Sequence, residues 1–339
     1  MKIYFQVMLF LQISTTINSC GEAQIQSHNS NKKTMQTEIV LPGKIAVYRD
    51  TCFIYNNSER SSIKFKINRF SKNFIGGYAW MNTKDDFIAT EYFKGQNRDI
   101  KGDLVTTNIK GEKLELIFSA KNGEVAGNCF FNGNDSMLLF TITKQGDFSK
   151  NHLEGLMRKQ SLVIMDFAKR QIVKVIGDIG ISPSFALNES PWLVNSSGII
   201  YTINYDNGVA NINENNDAKE EGIYLYDLKA DITKLLIPRG SKGVCSPTEM
   251  KVAYSIGSSI YIFDLINKSM SLVRQGSEKQ KIKDLHWTPD GNYIYFVYYD
   301  FLLGDIDFET HEKLIDAKTF KEISFKGIKH GYHSYSWKK

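Results

Sequence analysis

A ten-residue pattern of apolar and polar positions recurs along the chain. A large apolar residue is followed by a polar turn and then by a run of apolar residues. The clearest copy is Trp287–Phe296, WTPDGNYIYF. Four further copies follow the same pattern: Cys245–Tyr254, Trp192–Tyr201, Trp80–Ala89 and Phe130–Leu139. Because aromatic and β-branched residues on both sides of a turn are typical of paired strands, each copy predicts two strands and their turn.

A second pattern follows the first in each repeat. It is an apolar strand, then Asp or Asn, then a short turn and another apolar strand. The six marker residues are Asn56, Asn108, Asp166, Asp227, Asp264 and Asp316. They lie about 52 residues apart on average, a period that indicates a repeat architecture. Asp and Asn side chains hydrogen-bond backbone groups two residues further on, so we predict a structural role for the markers rather than a catalytic one.

The two patterns together define a unit of four strands, and the chain holds six such units. Six four-stranded antiparallel units predict an all-β fold, a six-bladed β-propeller. The first unit begins at its second strand, KIAVY, and lacks an inner strand of its own. The last residues can supply that strand, with Trp337 at the first position of the pattern. We therefore predict closure of the propeller by the C-terminal strand, which would leave no open edge.

The sequence Trp-Thr-Pro-Asp-Gly followed by Ile-Tyr-Phe resembles the repeat of TolB-like six-bladed propellers. Ser246-Pro247 is a partial second copy, and the other units keep only the pattern. The resemblance implies a propeller over roughly residues 41–339. It implies no specific activity.

The N-terminus has the features of an export signal. Lys2 is followed by an apolar run, Ile3–Leu11, which is too short to span a bilayer and fits a signal peptide at residues 1–19. Ile17-Asn18-Ser19-Cys20 resembles the lipobox of bacterial lipoproteins, which implies lipidation at Cys20. Residues 20–37 then form a polar tether, and residues 38–339 form the propeller domain. The alternative is an ordinary signal peptide with a chance cysteine.

The signal peptide and the lipobox-like sequence predict an exported protein of the bacterial cell envelope. It would be held at the membrane by a lipid anchor and face the periplasm or the cell surface. The formal net charge is +5, and the lysines are scattered without a basic stripe, so nucleic acid is not a predicted partner. Cys52, Cys129 and Cys245 each lie in an apolar run without Cys-x-x-Cys spacing. We expect them to be small buried hydrophobic residues.

Four long insertions separate second from third strands: Thr90–Asp103, Thr143–Gln160, Tyr205–Gly222 and Asp300–Glu312. In an up-and-down blade these connections emerge on one face, so they are read as loops that gather into a binding surface. Neutral drift in loop length is the alternative. The candidate binding residues are Tyr92, Phe93, Arg98, Phe148, Arg158, Tyr205, Tyr299 and Phe301.

The sequence contains no recognised catalytic motif, and we predict no catalytic residue, cofactor or metal. Asp305, Asp307 and Glu309 alternate, but a metal there is the less favoured interpretation. The favoured function is a non-enzymatic scaffold that binds an envelope protein or glycan. The alternative is an enzyme of the polysaccharide lyase or glycosidase type at the channel mouth. It would require acid and base groups such as Asp305, His311 and His152 to converge.

Overall fold

The computed structural model describes residues 44–48, 51–56, 61–67, 73–94, 100–145, 158–177, 190–203, 220–303, 307–323 and 334–338. Throughout these ranges the secondary structure consists of β-strands, bridges and turns, with no helix. No membrane-spanning helix is therefore found among them. The predicted signal peptide, Cys20 and the polar tether lie outside the described residues.

The first sheet joins the two ends of the described chain. Its strands, in sheet order, are β23 (Ser334–Lys338), β1 (Lys44–Tyr48), β2 (Thr51–Asn56) and β3 (Ser61–Lys66). All pairings are antiparallel, and Trp337 lies opposite Ile45 in the pairing of β23 with β1. The C-terminal strand therefore occupies the place beside β1 that the sequence predicts for it.

The second sheet has two antiparallel halves of four strands. Sheet 2a contains β4 (Asn73–Trp80), β5 (Phe87–Lys94), β6 (Ile100–Thr107) and β7 (Lys113–Phe118), and sheet 2b contains β8 (Glu124–Phe131), β9 (Met137–Gln145), β10 (Arg158–Asp166) and β11 (Gln171–Ile176). The halves meet at one parallel pair, Gly102 with Val125. A Cβ at Gly102 would lie 2.7 Å from Val125 Cγ1, so glycine permits this close approach.

Three further sheets follow in chain order. Sheet 3 contains β12 (Gly198–Ile203), β13 (Gly222–Asp227) and β14 (Ile232–Pro238); sheet 4 contains β15 (Ser241–Cys245), β16 (Lys251–Ile256), β17 (Ser259–Asp264) and β18 (Ser269–Arg274); sheet 5 contains β19 (Gln280–Trp287), β20 (Tyr293–Leu303), β21 (Asp307–Asp316) and β22 (Glu322–Ile323). In sheet 3 the predicted inner strand is reduced to a single bridge between Trp192 and Ile199.

The apolar core is divided into clusters that lie between consecutive sheets. Sheets 1 and 2a enclose Cys52, Trp80 and Phe87, and the same arrangement recurs between 2a and 2b, 2b and 3, 3 and 4, and 4 and 5. Cys52, Cys129 and Cys245 are buried and unpaired, as predicted. Burial raises the pKa of each thiol, that of Cys52 to about 12, so these cysteines act as hydrophobic residues.

In sheets 3 and 5 the first residue of the repeated pattern is a tryptophan that joins its sheet to the preceding one. Trp287 Nε1 donates to the carbonyl oxygen of Val244 at 3.1 Å, and Trp192 Nε1 donates to that of Phe130 at 3.0 Å. Both indole rings are buried. Antiparallel sheets that pack face to face in chain order are the arrangement of a β-propeller.

The marker residues have the structural role that the sequence predicts. The side-chain Oδ1 atoms of Asp227, Asp264 and Asp316 each accept two backbone N–H groups from the following turn, at 2.7–2.9 Å. Asn108 does the same, and Asp166 accepts one such group. The side chain of Asn56 lies outside the described residues.

These marker turns and the turns between first and second strands lie on one side, which we call the turn face. In sheets 2b, 3, 4 and 5 a marker turn donates a backbone N–H to the other turn of its sheet, as Phe167 does to Ser136 at 2.9 Å. Neighbouring sheets are joined there as well. Asp135 accepts the backbone N–H groups of Asn82 and Thr83 at 2.9 and 2.7 Å.

Candidate binding surface

Hairpins between second and third strands extend from the opposite ends of the strands, which we call the hairpin face. Pairing continues to Lys94↔Ile100 in β5–β6, Gln145↔Arg158 in β9–β10 and Leu303↔Asp307 in β20–β21. The sequence interpretation of Thr90–Asp103 and Asp300–Glu312 as long loops is therefore wrong for much of their length. Thr143–Gln160 begins and ends as strand, and its residues 146–157 lie outside the described residues. The aromatic, Thr and charged residues of the paired stretches form cross-strand pairs that prolong the ladder.

The predicted binding residues are distributed unevenly. Tyr92, Phe93, Tyr299 and Phe301 lie in the described hairpins and are partly exposed. Arg158 begins β10, but its side chain is outside the described part of the chain. Arg98, Phe148 and Tyr205 lie outside the described residues, so their roles stay predictions.

The β20–β21 hairpin carries a cluster of three aromatic rings. The ring centroids of Tyr299 and Phe308 are 4.4 Å apart, and Phe301 lies 5.9 Å from Phe308 and 6.4 Å from Tyr299. Phe308 is absent from the sequence prediction, although its pairing opposite Phe301 brings it into the cluster. Leu302, next to Phe301, is 50% exposed. We call Tyr299, Phe301, Leu302 and Phe308 the aromatic hairpin.

The base of the aromatic hairpin is held against sheet 4. The guanidinium of Arg274 lies 4.7 Å from the ring centroid of Tyr298, and its Nε donates to Glu322 at 2.8 Å. Gln280 links Arg274 to Asp300, with contacts of 2.7 and 3.2 Å. These contacts hold β20, at the base of the aromatic hairpin, against sheet 4, and a strand that is already held in place lowers the entropic cost of binding.

His311 also lies at the base of this hairpin. Its ring stacks on Tyr298 at 5.0 Å, and its Nε2 is 3.4 Å from Glu309 Oε2. Asp305 and His152, which the enzyme alternative requires beside it, lie outside the described residues. Across the described ranges no group of three or more His, Cys, Asp or Glu side chains is arranged to hold a metal ion.

The β5–β6 hairpin uses its aromatic residues for internal packing. Tyr92 stacks on Phe74 with centroids 4.6 Å apart and an interplanar angle of 13°. Lys101 Nζ lies 5.6 Å from the Phe93 centroid and 3.0 Å from Asp103. Asp103 is only 5% exposed and also accepts the backbone N–H of Ala120. Tyr92 and Phe93 thus pack within sheet 2a, whereas Tyr299 and Phe301 pack on one another and on Phe308 beside the exposed Leu302.

Sequence reasoning missed a bulge in the inner strand of four sheets or half-sheets. The pairing shifts between Gly76 and Ala79, Gly127 and Phe130, Ser241 and Val244, and Ile282 and Asp284. Buried hydroxyls support two of these sites: Thr90 and Thr141 donate to Ala126 and Gly127 in β8, and Ser255 donates to Ser241 in β15. A signal existed for two of these hydroxyls, since Thr90 and Ser255 each directly follow a copy of the repeated pattern.

Comparison with known proteins yields likeness of fold only. No family model and no curated protein matches this chain. A puromycin-hydrolyzing peptidase of Mycobacterium tuberculosis is similar over 83% of this chain, with 9% identity and a TM-score of 0.53. This chain covers 43% of that peptidase, less than half its length.

Two weaker likenesses carry no argument by themselves. The β-propeller domain of the Trilobed protease from Pyrococcus furiosus has a TM-score of 0.49 at 13% identity, covering 82% of this chain and 75% of that chain. A putative TolB from Agrobacterium tumefaciens has 0.47 at 12% identity, covering 84% and 90%. The strand order and inter-sheet packing described above place the chain in the β-propeller class.

Proposed function

We propose that this chain is a six-bladed propeller, closed by its C-terminal strand, that serves as a non-enzymatic binding scaffold in the bacterial cell envelope. Six blades are supported by sheets 1, 2a, 2b, 3, 4 and 5, with Trp192 standing for an inner strand in sheet 3. Closure is supported by the pairing of β23 with β1. The partner is an envelope protein or glycan.

The observation that carries the binding role is the aromatic hairpin. Its rings are partly exposed, and Leu302 adds apolar surface beside them. Aromatic side chains are enriched in protein interfaces because they bring large contact area with few rotatable bonds. The contacts of Arg274 and Gln280 hold β20 at the base of this surface, which lowers the entropic cost of binding a partner there.

The anchor is a separate part of the proposal. Lipidation at Cys20 would hold the propeller at the membrane through its polar tether, and stable anchoring requires more than one acyl chain. Labelled palmitate should enter the wild-type protein and not a Cys20→Ala variant. Equal labelling of both proteins would exclude the anchor without affecting the binding role.

Site-specific photo-crosslinking tests the binding role. Leu302 is replaced by p-benzoylphenylalanine in the full chain, and Val194 on the turn face, 39% exposed, receives the same residue as the matched control. Irradiated envelope preparations should give a discrete protein or glycan adduct from position 302 and none from position 194.

Two results would contradict the scaffold. Equal adducts from both positions would mean that the aromatic hairpin is not the contact surface. Turnover of a polysaccharide by the purified protein, stopped by His311→Ala or Asp305→Asn, would establish the enzyme alternative instead.

A further inference from the structure

The sequence contains three Asn–Gly pairs: Asn122–Gly123, Asn132–Gly133 and Asn207–Gly208. In such a pair the backbone nitrogen of the glycine attacks the side-chain amide carbon of the asparagine more readily than in other pairs, because glycine has no side chain that hinders the approach. Asparagine is accordingly one of the chemically labile residues that heat-adapted proteins use sparingly. The third pair lies outside the described residues, whereas the first two lie in contrasting environments.

Asn122 and Gly123 are the central residues of an exposed turn between β7 and β8. The backbone N–H of Glu124 donates to the carbonyl oxygen of Lys121 at 3.0 Å, and the N–H of Lys121 donates to the carboxylate of Glu124 at 3.4 Å. Gly123 has a φ of +77°, the left-handed value that favours glycine at this position of a turn. Within the described part of the chain, neither the side chain of Asn122 nor the N–H of Gly123 has a hydrogen-bond partner.

Asn132 is held by its side chain and by its backbone, and it is only 3% exposed. Its Oδ1 accepts the backbone N–H of Met137 at 2.9 Å, and its Nδ2 donates to Ser136 Oγ at 3.1 Å. Its own N–H donates to the carbonyl oxygen of Met137, and its carbonyl oxygen accepts the N–H of Asp135, both at 3.0 Å. Attack by the nitrogen of Gly133 requires several of these bonds to open first, so the fold protects this pair.

We infer that Asn122 is a site of spontaneous deamidation, with water as the only co-reactant. The nitrogen of Gly123 loses its proton and bonds to the side-chain carbonyl carbon of Asn122, and the side-chain amine takes up a proton and leaves as ammonia. Water then opens the resulting succinimide ring: its hydroxyl adds to one of the two ring carbonyl carbons, and its remaining hydrogen returns to the nitrogen. Opening at one carbonyl gives aspartate, and opening at the other gives isoaspartate.

The conversion changes the hairpin face of the propeller. Glu124, two residues after Asn122, lies opposite Lys144 in the β8–β9 pairing, next to the start of the β9–β10 hairpin. Each product places one more carboxylate at this turn, and isoaspartate also adds one carbon to the main chain between sheets 2a and 2b. The inference depends neither on the aromatic hairpin nor on lipidation at Cys20.

Peptide mapping of the full chain tests the site. The folded protein is incubated in heavy-oxygen water at mildly alkaline pH, acidified and then digested with trypsin in ordinary water, and a parallel sample is incubated in urea. Cleavage after Lys121 and Lys144 leaves Asn122 and Asn132 in the same peptide, so fragment masses compare the two sites at equal recovery. Heavy oxygen in the product shows that it formed during the incubation and not during digestion.

We expect Asn122 in the folded protein to be converted at least about tenfold faster than Asn132, because the hydrogen bonds of Asn132 must open first. In urea both sites are Asn–Gly pairs of an open chain, and their rates should converge. Isoaspartyl methyltransferase should label this peptide from wild type but not the same peptide from Asn122→Gln. That control keeps an exposed amide at the turn, but its longer side chain disfavours the five-membered ring.

Equal rates at the two sites in the folded protein would overturn the inference, because the environment of Asn122 would then give it no greater reactivity. It would also be overturned if Asn122 stayed intact in the folded protein over a period that converts it in urea, since the turn would then protect it. Methyl label that persists in the peptide from Asn122→Gln would place the isoaspartate at another residue.

Discussion

The two faces of this propeller differ in how uniform they are. On the turn face, the same backbone hydrogen bond joins the two turns of a sheet at Phe167–Ser136, Leu228–Ser197, Leu265–Met250 and Ala317–Asn292. On the hairpin face, the hairpins between second and third strands differ in length from sheet to sheet. The β16–β17 hairpin turns directly at Ile256↔Ser259, whereas β20–β21 continues to Leu303↔Asp307.

The difference indicates where the fold constrains the chain. Turn-face residues bond within their own sheet and to the neighbouring sheet, so a change there disturbs two units. Four marker turns also place a non-glycine residue in the left-handed region, at Arg170, Asp231, Lys268 and Phe320. A hairpin can lengthen without altering these contacts. The hairpin face is therefore where a binding function can be added at little cost in stability.

The largest effect is expected from removing β23. Deleting Ser334–Lys338 leaves the edge of β1 unpaired, and we expect a loss of more than about 3 kcal/mol or of cooperative folding. Thermal unfolding measures this, with deletion of Lys339 alone as the control. An unchanged melting temperature would mean that pairing at this edge contributes nothing to the framework.

Truncating an inter-sheet tryptophan should have the next largest effect. Trp287→Ala removes a buried ring and its hydrogen bond to Val244, at a cost of about 3–5 kcal/mol in urea unfolding. Trp287→Phe keeps an aromatic ring and should cost less. A loss of under about 1 kcal/mol for the alanine variant would contradict the role of this residue in joining sheets 4 and 5.

A smaller effect is expected at the turn face between sheets 2a and 2b. Asp135→Ala leaves the N–H groups of Asn82 and Thr83 without their acceptor, which should cost about 1–3 kcal/mol. Asp135→Asn keeps one acceptor oxygen and serves as the control. Hydrogen exchange should be faster at both amides in the alanine variant and at only one of them in Asp135→Asn, which would locate the effect at these two bonds.

The marker aspartates predict a pH dependence. Backbone hydrogen bonds, chiefly from Lys169, Asn267 and Thr319, lower the pKa values of Asp166, Asp264 and Asp316. A pKa lowered in the folded state contributes stability that is present above the unfolded-state pKa, about 3.9, and is lost as pH falls through the folded-state pKa. Between about pH 5 and about pH 2, wild type should therefore lose more stability than a triple Asp→Asn variant at these positions. If the free energies of unfolding of the two proteins, measured in urea, change in parallel with pH, these carboxylates do not contribute to the stability of the turn face.

The smallest effect on stability belongs to the hairpin face. Leu302→Ser changes an exposed side chain and should alter the free energy of unfolding by less than about 0.5 kcal/mol. It should nevertheless weaken partner capture in the envelope. If the free energy of unfolding in urea fell by several kcal/mol, this hairpin would contribute to the stability of the fold. The two faces would then not differ in the way described above.

The sequence alone determined the features that depend on local pattern. The repeated pattern of apolar residues and polar turns located the strands, and the six Asp and Asn markers located the turns that follow them. In the described residues, five of the six markers accept backbone hydrogen bonds from those turns. The burial of Cys52, Cys129 and Cys245 also followed from the apolar runs that contain them. These features depend on neighbours along the chain, which the sequence displays directly.

Only the tertiary structure decided which residues meet across strands and which faces stay uncovered. Phe308 joined Tyr299 and Phe301 because the ladder continues through a segment whose composition suggested a loop. Tyr92, of the same residue type as Tyr299, is instead stacked on Phe74. The two-residue period of a strand assigns side chains to alternate faces, but exposure depends on what packs against each face. For the same reason, no local pattern distinguished the exposed Val173 and Ile232, on the outermost strands β11 and β14, from the apolar residues of the core.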